Sequence, residues 1–160
     1  VSVRELVIHP SEILSTPARV LTDEEFANGF ARTVAADLLE TMEHVDGRNG
    51  LRCLGLAAPQ IGYPVAMFRL AQWPGVFANP EIEYVLGAPI IGRESCLSLP
   101  GFAAMVGRAA KIKLRYRTVE GEQRATKMRD ADARAAQHEF DHLHGVLIVN
   151  RMEKNQPVAI

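Results

Sequence analysis

The segment Gln137-His138-Glu139-Phe140-Asp141-His142 sets two histidines four positions apart with a glutamate directly after the first. In a helix, positions four apart share a face, so both imidazoles can reach one metal ion while Glu139 approaches a water beside it. With five histidines in 160 residues, such a match arises by chance in about one chain in a hundred. The surroundings predict the helix that the motif needs. Asp130 can cap it, the run Ala131 to His144 can form it, and Gly145 can end it. Two imidazoles leave a catalytic site one protein ligand short. Cys96, Cys53, Asp141, His144 and more remote acids are the candidates. Asp141 and His144 point off the His138/His142 face, which suits Asp141 to orienting a ligand and leaves His144 a surface group. Cys96 lies in Gly92-Arg93-Glu94-Ser95-Cys96-Leu97-Ser98-Leu99-Pro100, after an apolar run and before a Pro-Gly turn, where a strand end can aim a thiolate inward. A Cys/His/His set suits zinc or ferrous iron.

Upstream, the pattern changes twice. Thr22-Asp23-Glu24-Glu25 has the form of a capping box, and Phe26, Phe30, Val34, Leu38, Met42 and Val45 follow at helical spacing. This predicts a helix over about 23–45, stopped by Gly47 and Asn49-Gly50. From Pro64 onward, short β-prone runs stand between Pro and Gly: Val65 to Leu70, Ile82 to Leu86 and Pro89 to Gly92. In Ala110 to Arg117 apolar and basic residues alternate strictly, predicting a strand with one buried and one wet face. Glu120-Gly121-Glu122 turns it into a partner, and a last strand is expected over Val146 to Val149. One helix, several strands, then a helix and a strand point to an α+β fold with mostly antiparallel pairing.

Composition bounds the function. A 48% hydrophobic and 23% charged chain of 160 residues suits one globular domain, and no repeat or linker divides it. Eighteen basic against nineteen acidic residues leave a net charge of -1, so nothing draws the whole molecule toward nucleic acid or an anionic membrane. The start, Val1-Ser2-Val3-Arg4-Glu5, lacks the apolar core of a signal peptide, and no membrane-length apolar run follows. A cytoplasmic protein, bacterial or organellar, with reduced cysteines is expected.

Three motifs resemble the peptide deformylase family. They are Leu54-Gly55-Leu56-Ala57-Ala58-Pro59-Gln60, Glu94-Ser95-Cys96-Leu97-Ser98 and Gln137-His138-Glu139-Phe140-Asp141-His142, in the family's order and approximate spacing. Ile8-His9-Pro10, Thr16-Pro17-Ala18, Ile61-Gly62 and Gly145-Val146-Leu147 look like the framework between them, so the resemblance spans nearly the whole chain, residues 1–160, as a single catalytic domain. It implies mostly antiparallel sheets packed around a central helix carrying the His-Glu-x-x-His motif, and removal of the N-formyl group from formyl-methionyl nascent chains. Cys96, His138 and His142 would hold one divalent ion, Fe²⁺ or in its place Zn²⁺ or Ni²⁺. Glu139 would take a proton from the attacking water and pass it to the leaving amine. Gln60 and the Leu97 amide would face the developing oxyanion, and the backbones of Leu54, Gly55 and Ser95 would pair with an extended substrate. The partners implied are formyl-methionyl peptides and the ribosome that presents them.

The chain also departs from the family. Cys53 and Ser95 stand where glycine is usual, and Ala131 and Asp132 stand where bulky apolar residues are common. The chain ends at Ile160, whereas many bacterial members carry a further C-terminal helix, so the resemblance does not extend to ribosome docking through such a helix. Cys53 reads first as a packed side chain and second as a partner for oxidation with Cys96. Two other activities fit the same residues: a deformylase-like amidohydrolase with another formylated or acylated substrate, and a non-catalytic formyl-peptide binder. A zinc protease fits less well, since its third ligand usually follows the histidine pair.

Overall fold

The computed structural model describes residues 2–152. Residues 153–160, on which the expectation about the C-terminal end falls, lie outside the described residues. In chain order the elements are α1 (Glu12–Ser15), α2 (Asp23–Ala27), α3 (Phe30–Val45), β1 (Gly55–Ala57), β2 (Met67–Leu70), β3 (Phe77–Leu86), β4 (Ile90–Ser95), β5 (Ala103–Arg108), β6 (Lys111–Arg117), β7 (Gln123–Arg129), α4 (Asp130–His142) and α5 (Ile148–Arg151). Five strands form one sheet in the order β1-β2-β3-β6-β7, and β4 pairs with β5 in a second; every pairing between these strands is antiparallel.

The alternating segment forms β6, with Ile112 and Leu114 buried and Lys111 and Arg115 exposed. The expected capping box is present, Thr22 Oγ1 accepting from the Glu25 amide and Glu25 from the Thr22 amide. The helix expected over 23–45, however, is two helices. Gly29 takes φ +90°, and Asn28 Oδ1 accepts from the Phe30 amide. An Asn-Gly pair inside an apolar period is a turn signal that the periodicity hides.

Two further expectations need correction. Asp130 is the first residue of α4, at φ +54°, and not a side-chain cap; its amide instead donates to Ala110 O, joining the helix start to the β5–β6 connection. The strand expected over Val146 to Val149 is absent. Asn150 Oδ1 accepts from the Leu147 amide and starts α5 there. A short apolar run does not by itself distinguish strand from helix, and the local cap decides.

Helix α3 lays Val34, Leu38 and Met42 against the back of β1 and β2, in a cluster that includes Leu56, Ile61 and Met67. The opposite face of the five-stranded sheet, with Phe68, Phe77, Ile112 and Leu114, packs on Ala133 and Ala136 of α4. Small residues at those two positions let the helix approach the sheet closely. A third cluster joins Leu14, Cys96, Val106, Leu147 and Ile148. Helix α4 is therefore central, packing on β1, β2, β5, β6 and β7. Its exit is fixed by Gly145, at φ +71°, where an added Cβ would lie 2.7 Å from the Ser15 carbonyl; only glycine fits that conformation and that space. Among the described residues no helix is long and apolar enough to cross a membrane.

Candidate metal centre

Strand β4 ends at Ser95 and delivers Cys96 beside α4, which presents His138 and His142 one turn apart. The ligand atoms of Cys96, His138 and His142 all lie within 4.8 Å of one another. Cys96 Sγ stands 3.4 Å from His142 Nε2, close to the roughly 3.5 Å that a sulfur and a nitrogen keep on one tetrahedral ion with bonds of about 2.3 and 2.05 Å. The donor set fits a small divalent ion. Cys53 and Asp141, considered as alternatives, are not in this group. Cys53 is buried in the α3 cluster, its Sγ 3.5 Å from Gly55 O, and burial among nearby carboxylates pushes its thiol up to about 12. His144 is exposed and rests on Phe140.

The electrostatics favour a positive charge in the middle of the trio. Burial alone would lower His138, but its hydrogen bonds with Cys96 and with Glu94 raise it to about 10. Burial lowers His142, and the neighbouring His138 and Arg108 charges lower it further. With Cys96 beside it and the Glu94 carboxylate behind it, His138 sits where a cation is held, and a metal ion can replace the proton.

Glu139 is 4% exposed, and its Oε2 has no hydrogen-bond partner among the described residues. Burial pushes its carboxyl up to about 7, within the range where a proton can be taken up and returned near neutral pH. Gly55 makes the room: a Cβ there would lie 2.7 Å from Glu139 Oε1. Gln60 is buried, and its amide orientation is fixed at both ends. Oε1 accepts from the Ala57 amide at 2.9 Å, and Nε2 donates toward Ser98 Oγ at 3.2 Å and Cys96 Sγ at 3.6 Å. The NH₂ group therefore faces Cys96 Sγ. A cleft of about 220 Å³ opens over these groups, bordered by Leu54, Gly55, Ser95 and Leu97 as well.

Apart from Asp141, sequence reasoning missed the residues that position the candidate ligands. His138 Nδ1 is 2.9 Å from Glu94 Oε1, which leaves Nε2 for a metal. Glu94 accepts two hydrogen bonds from Arg108, at 2.8 and 2.9 Å, and Arg108 also donates to Asp141 at 2.6 Å. Asp141 in turn holds Arg151 of α5. Arg108 is 1% exposed. The available signal was a solitary arginine among Val106, Gly107, Ala109 and Ala110, since a charge in so apolar a context is buried only with partners.

The sequence and the fold both match known proteins. Residues 3–158 match the sequence model of the family described as polypeptide deformylase. A peptide deformylase of Bartonella henselae is 35% identical over 158 residues, covering 94% of this chain and 85% of that protein. The crystal structure of peptide deformylase from Thermotoga maritima matches with a TM-score of 0.85 at 31% identity, over 96% of this chain and 100% of that one. The Met-Ala-Ser-bound class I type b peptide deformylase from Acinetobacter baumannii matches at 0.85 and 31%, over 94% and 99%.

Proposed function

The chain belongs to the peptide deformylase family, and we propose from this that Cys96, His138 and His142 hold its catalytic metal and that Glu139 carries the proton in its reaction. The enzyme is a hydrolase that removes the N-formyl group from the N-terminus of nascent polypeptides, releasing formate. The observation that carries the assignment of roles is the compact Cys/His/His donor set with a partnerless, buried carboxylate oxygen beside it.

The ion, when bound, supplies Lewis acidity at the formyl oxygen and to the attacking water. Fe²⁺ is the ion we assign, with Zn²⁺ or Ni²⁺ able to replace it, since a thiolate and two imidazoles suit all three. Glu139 accepts the proton of the attacking water at Oε2 and returns it to the departing amine, the two transfers that amide hydrolysis requires. Gln60 Nε2 and the Leu97 amide donate to the oxygen on which negative charge grows. Gln60 needs little reorganisation for this, because the Ala57 amide already fixes its orientation. Glu94 holds His138 by Nδ1, and Arg108 holds Glu94. Leu54, Gly55 and Ser95 border the cleft, and on this reading their backbones pair with an extended peptide. Formylated chains emerge at the ribosome in the cytoplasm, where we place the enzyme.

Anaerobic purification, metal analysis and formate release from formyl-Met-Ala-Ser test the assignment. Glu139→Ala is expected to keep one metal per chain while formate release falls by roughly 10²- to 10⁴-fold. Cys96→Ala and His142→Ala are expected to lose the metal. Stoichiometric metal in both of these variants, or near-normal turnover in Glu139→Ala, would overturn these roles.

A further inference from the structure

Strand β6 has a second face that takes no part in the metal centre. Ile112, Leu114 and Tyr116 pack toward Ala133 and Ala136 of α4, so Lys111, Lys113, Arg115 and Arg117 turn to the other side of the sheet. The register with β7 sets Arg129 opposite Lys111 and Lys127 opposite Lys113. Six basic residues thus share one face of two neighbouring strands.

Acidic groups answer only part of this charge. Glu83 pairs with Lys113 at 3.0 Å, and Asp23 of α2 pairs with Arg117 at 2.7 Å. Glu122 is taken by Arg124, which stands opposite Tyr116 and so on the other face. Glu81 is opposite Arg115 in the register, Glu120 lies in the turn between β6 and β7, and Asp130 follows Arg129. None of these three makes an ion pair among the described residues, and neither do Lys111, Arg115, Lys127 and Arg129.

Like charges directly opposite each other destabilise a strand pair. Lysine on an exposed edge strand keeps other strands away, which accounts for Lys127 on β7. It does not account for the row on β6, which lies inside the sheet between β3 and β7. Alternate side chains along a strand stand about 6.4–6.8 Å apart, comparable with successive phosphates of one nucleic-acid strand. A polyanion laid along β6 and β7 therefore meets a cation at each step and relieves the repulsion between the rows. An anionic membrane would also need apolar groups to insert. Among the described residues, Leu86 is the only exposed large apolar residue at a register position on this face.

We propose that the outer face of β6 and β7 is a docking surface for the phosphate backbone of RNA. The choice of RNA rests on the deformylase function, whose nascent substrates leave a ribosome. Gly55 of β1 borders the cleft, and β1 and β7 are opposite edges of the sheet. Four strand spacings, about 19 Å, separate them, so the surface can be occupied while the cleft stays open.

Fluorescence anisotropy of a labelled oligouridine with the metal-loaded enzyme tests the proposal. If the four unpaired cations each meet a phosphate, the dissociation constant should rise about 50-fold between about 50 and 200 mM salt. Lys127→Gln combined with Arg129→Gln is expected to weaken binding by about tenfold or more at the lower salt and to reduce the logarithmic salt slope by about 1.4. Arg124→Gln, on the same strand and the opposite face, should leave both quantities at wild-type values. Formate release from formyl-Met-Ala-Ser, followed on the same samples, should be unchanged in every variant. Absence of binding at the lower salt, an affinity independent of salt, equal effects of Arg124→Gln and the double variant, a parallel fall in formate release, or tighter binding to phosphatidylserine vesicles than to the RNA would overturn the proposal. Should the wild type release no formate, the deformylase function fails, while the anisotropy still decides whether this face docks RNA.

Discussion

Helices α3 and α4 pack on opposite faces of the same sheet, yet they are held by different forces. Helix α3 buries Ala31, Val34, Leu38 and Met42, and its two buried polar groups face the N-terminal segment: Asp37 meets the Ser2 amide and the Tyr63 hydroxyl, and Thr41 meets the Arg4 amide. Helix α4 buries only two alanines on its apolar side, together with Gln137, Glu139, Asp141 and His142. The first is placed by apolar area removed from water, which is tolerant of exact partner. The second is placed by directional pairs whose members are costly to leave single. Glu139 and His142, the buried groups proposed to act chemically, sit on the helix where packing contributes least and polar geometry fixes the position.

Arg108→Met should expose the contrast most strongly. It leaves Glu94 and Asp141 buried with fewer counter-charges, and a loss of about 3–5 kcal/mol is expected in denaturant unfolding of the metal-free protein. A loss under about 1 kcal/mol would mean that Arg134 and Arg151 can take over. The pH dependence supplies a second readout. Burial would raise Glu94, but the guanidinium of Arg108 and the His138 imidazole hold it well below the usual carboxylate range. A depressed folded-state value contributes stability that is present above the unfolded value, about 4.3, and is lost as pH falls through the folded one. Wild type should therefore lose stability steadily below about pH 4.3, and Arg108→Met should lose less of it over the same interval.

Leu38→Ala tests the other helix. Leu38 is fully buried, and its truncation should cost about 2–5 kcal/mol, while metal content and formate release per metal stay at wild-type levels. Coupled loss of metal would break the comparison, because it would show that α3 packing reaches through the sheet to the ligands. The smallest effect is expected at the N-terminus of α2. Thr22→Ala removes the side-chain half of the capping box and should cost about 1 kcal/mol, with no change in activity.

The same distinction decides what can be read from the sequence. Strand β6 is legible because its period-two alternation is local and complete, and the shared helical face of His138 and His142 is legible because both histidines and Glu139 fall within five residues. The turn at Asn28-Gly29 is hidden because apolar residues keep helical spacing across it. The run Val146 to Val149 misleads because Asn150, which starts α5, lies just outside it. Glu94 stands in plain view within a motif, but its partners Arg108, Arg134 and His138 are 14, 40 and 44 positions away. No periodicity connects such residues, so only the folded chain brings them together.

The glycine at 145 ties the exit of the ligand helix to the backbone of Ser15, near opposite ends of the chain. During vectorial synthesis Ser15 emerges long before Gly145, so this contact waits even though Ser2 and Arg4 can already meet Asp37 and Thr41 of α3. The clamp closes only after His142 and Gly145 have left the ribosome. Cys96, His138 and His142 therefore come together late, and the order in which the chain is made sets when the trio can first form.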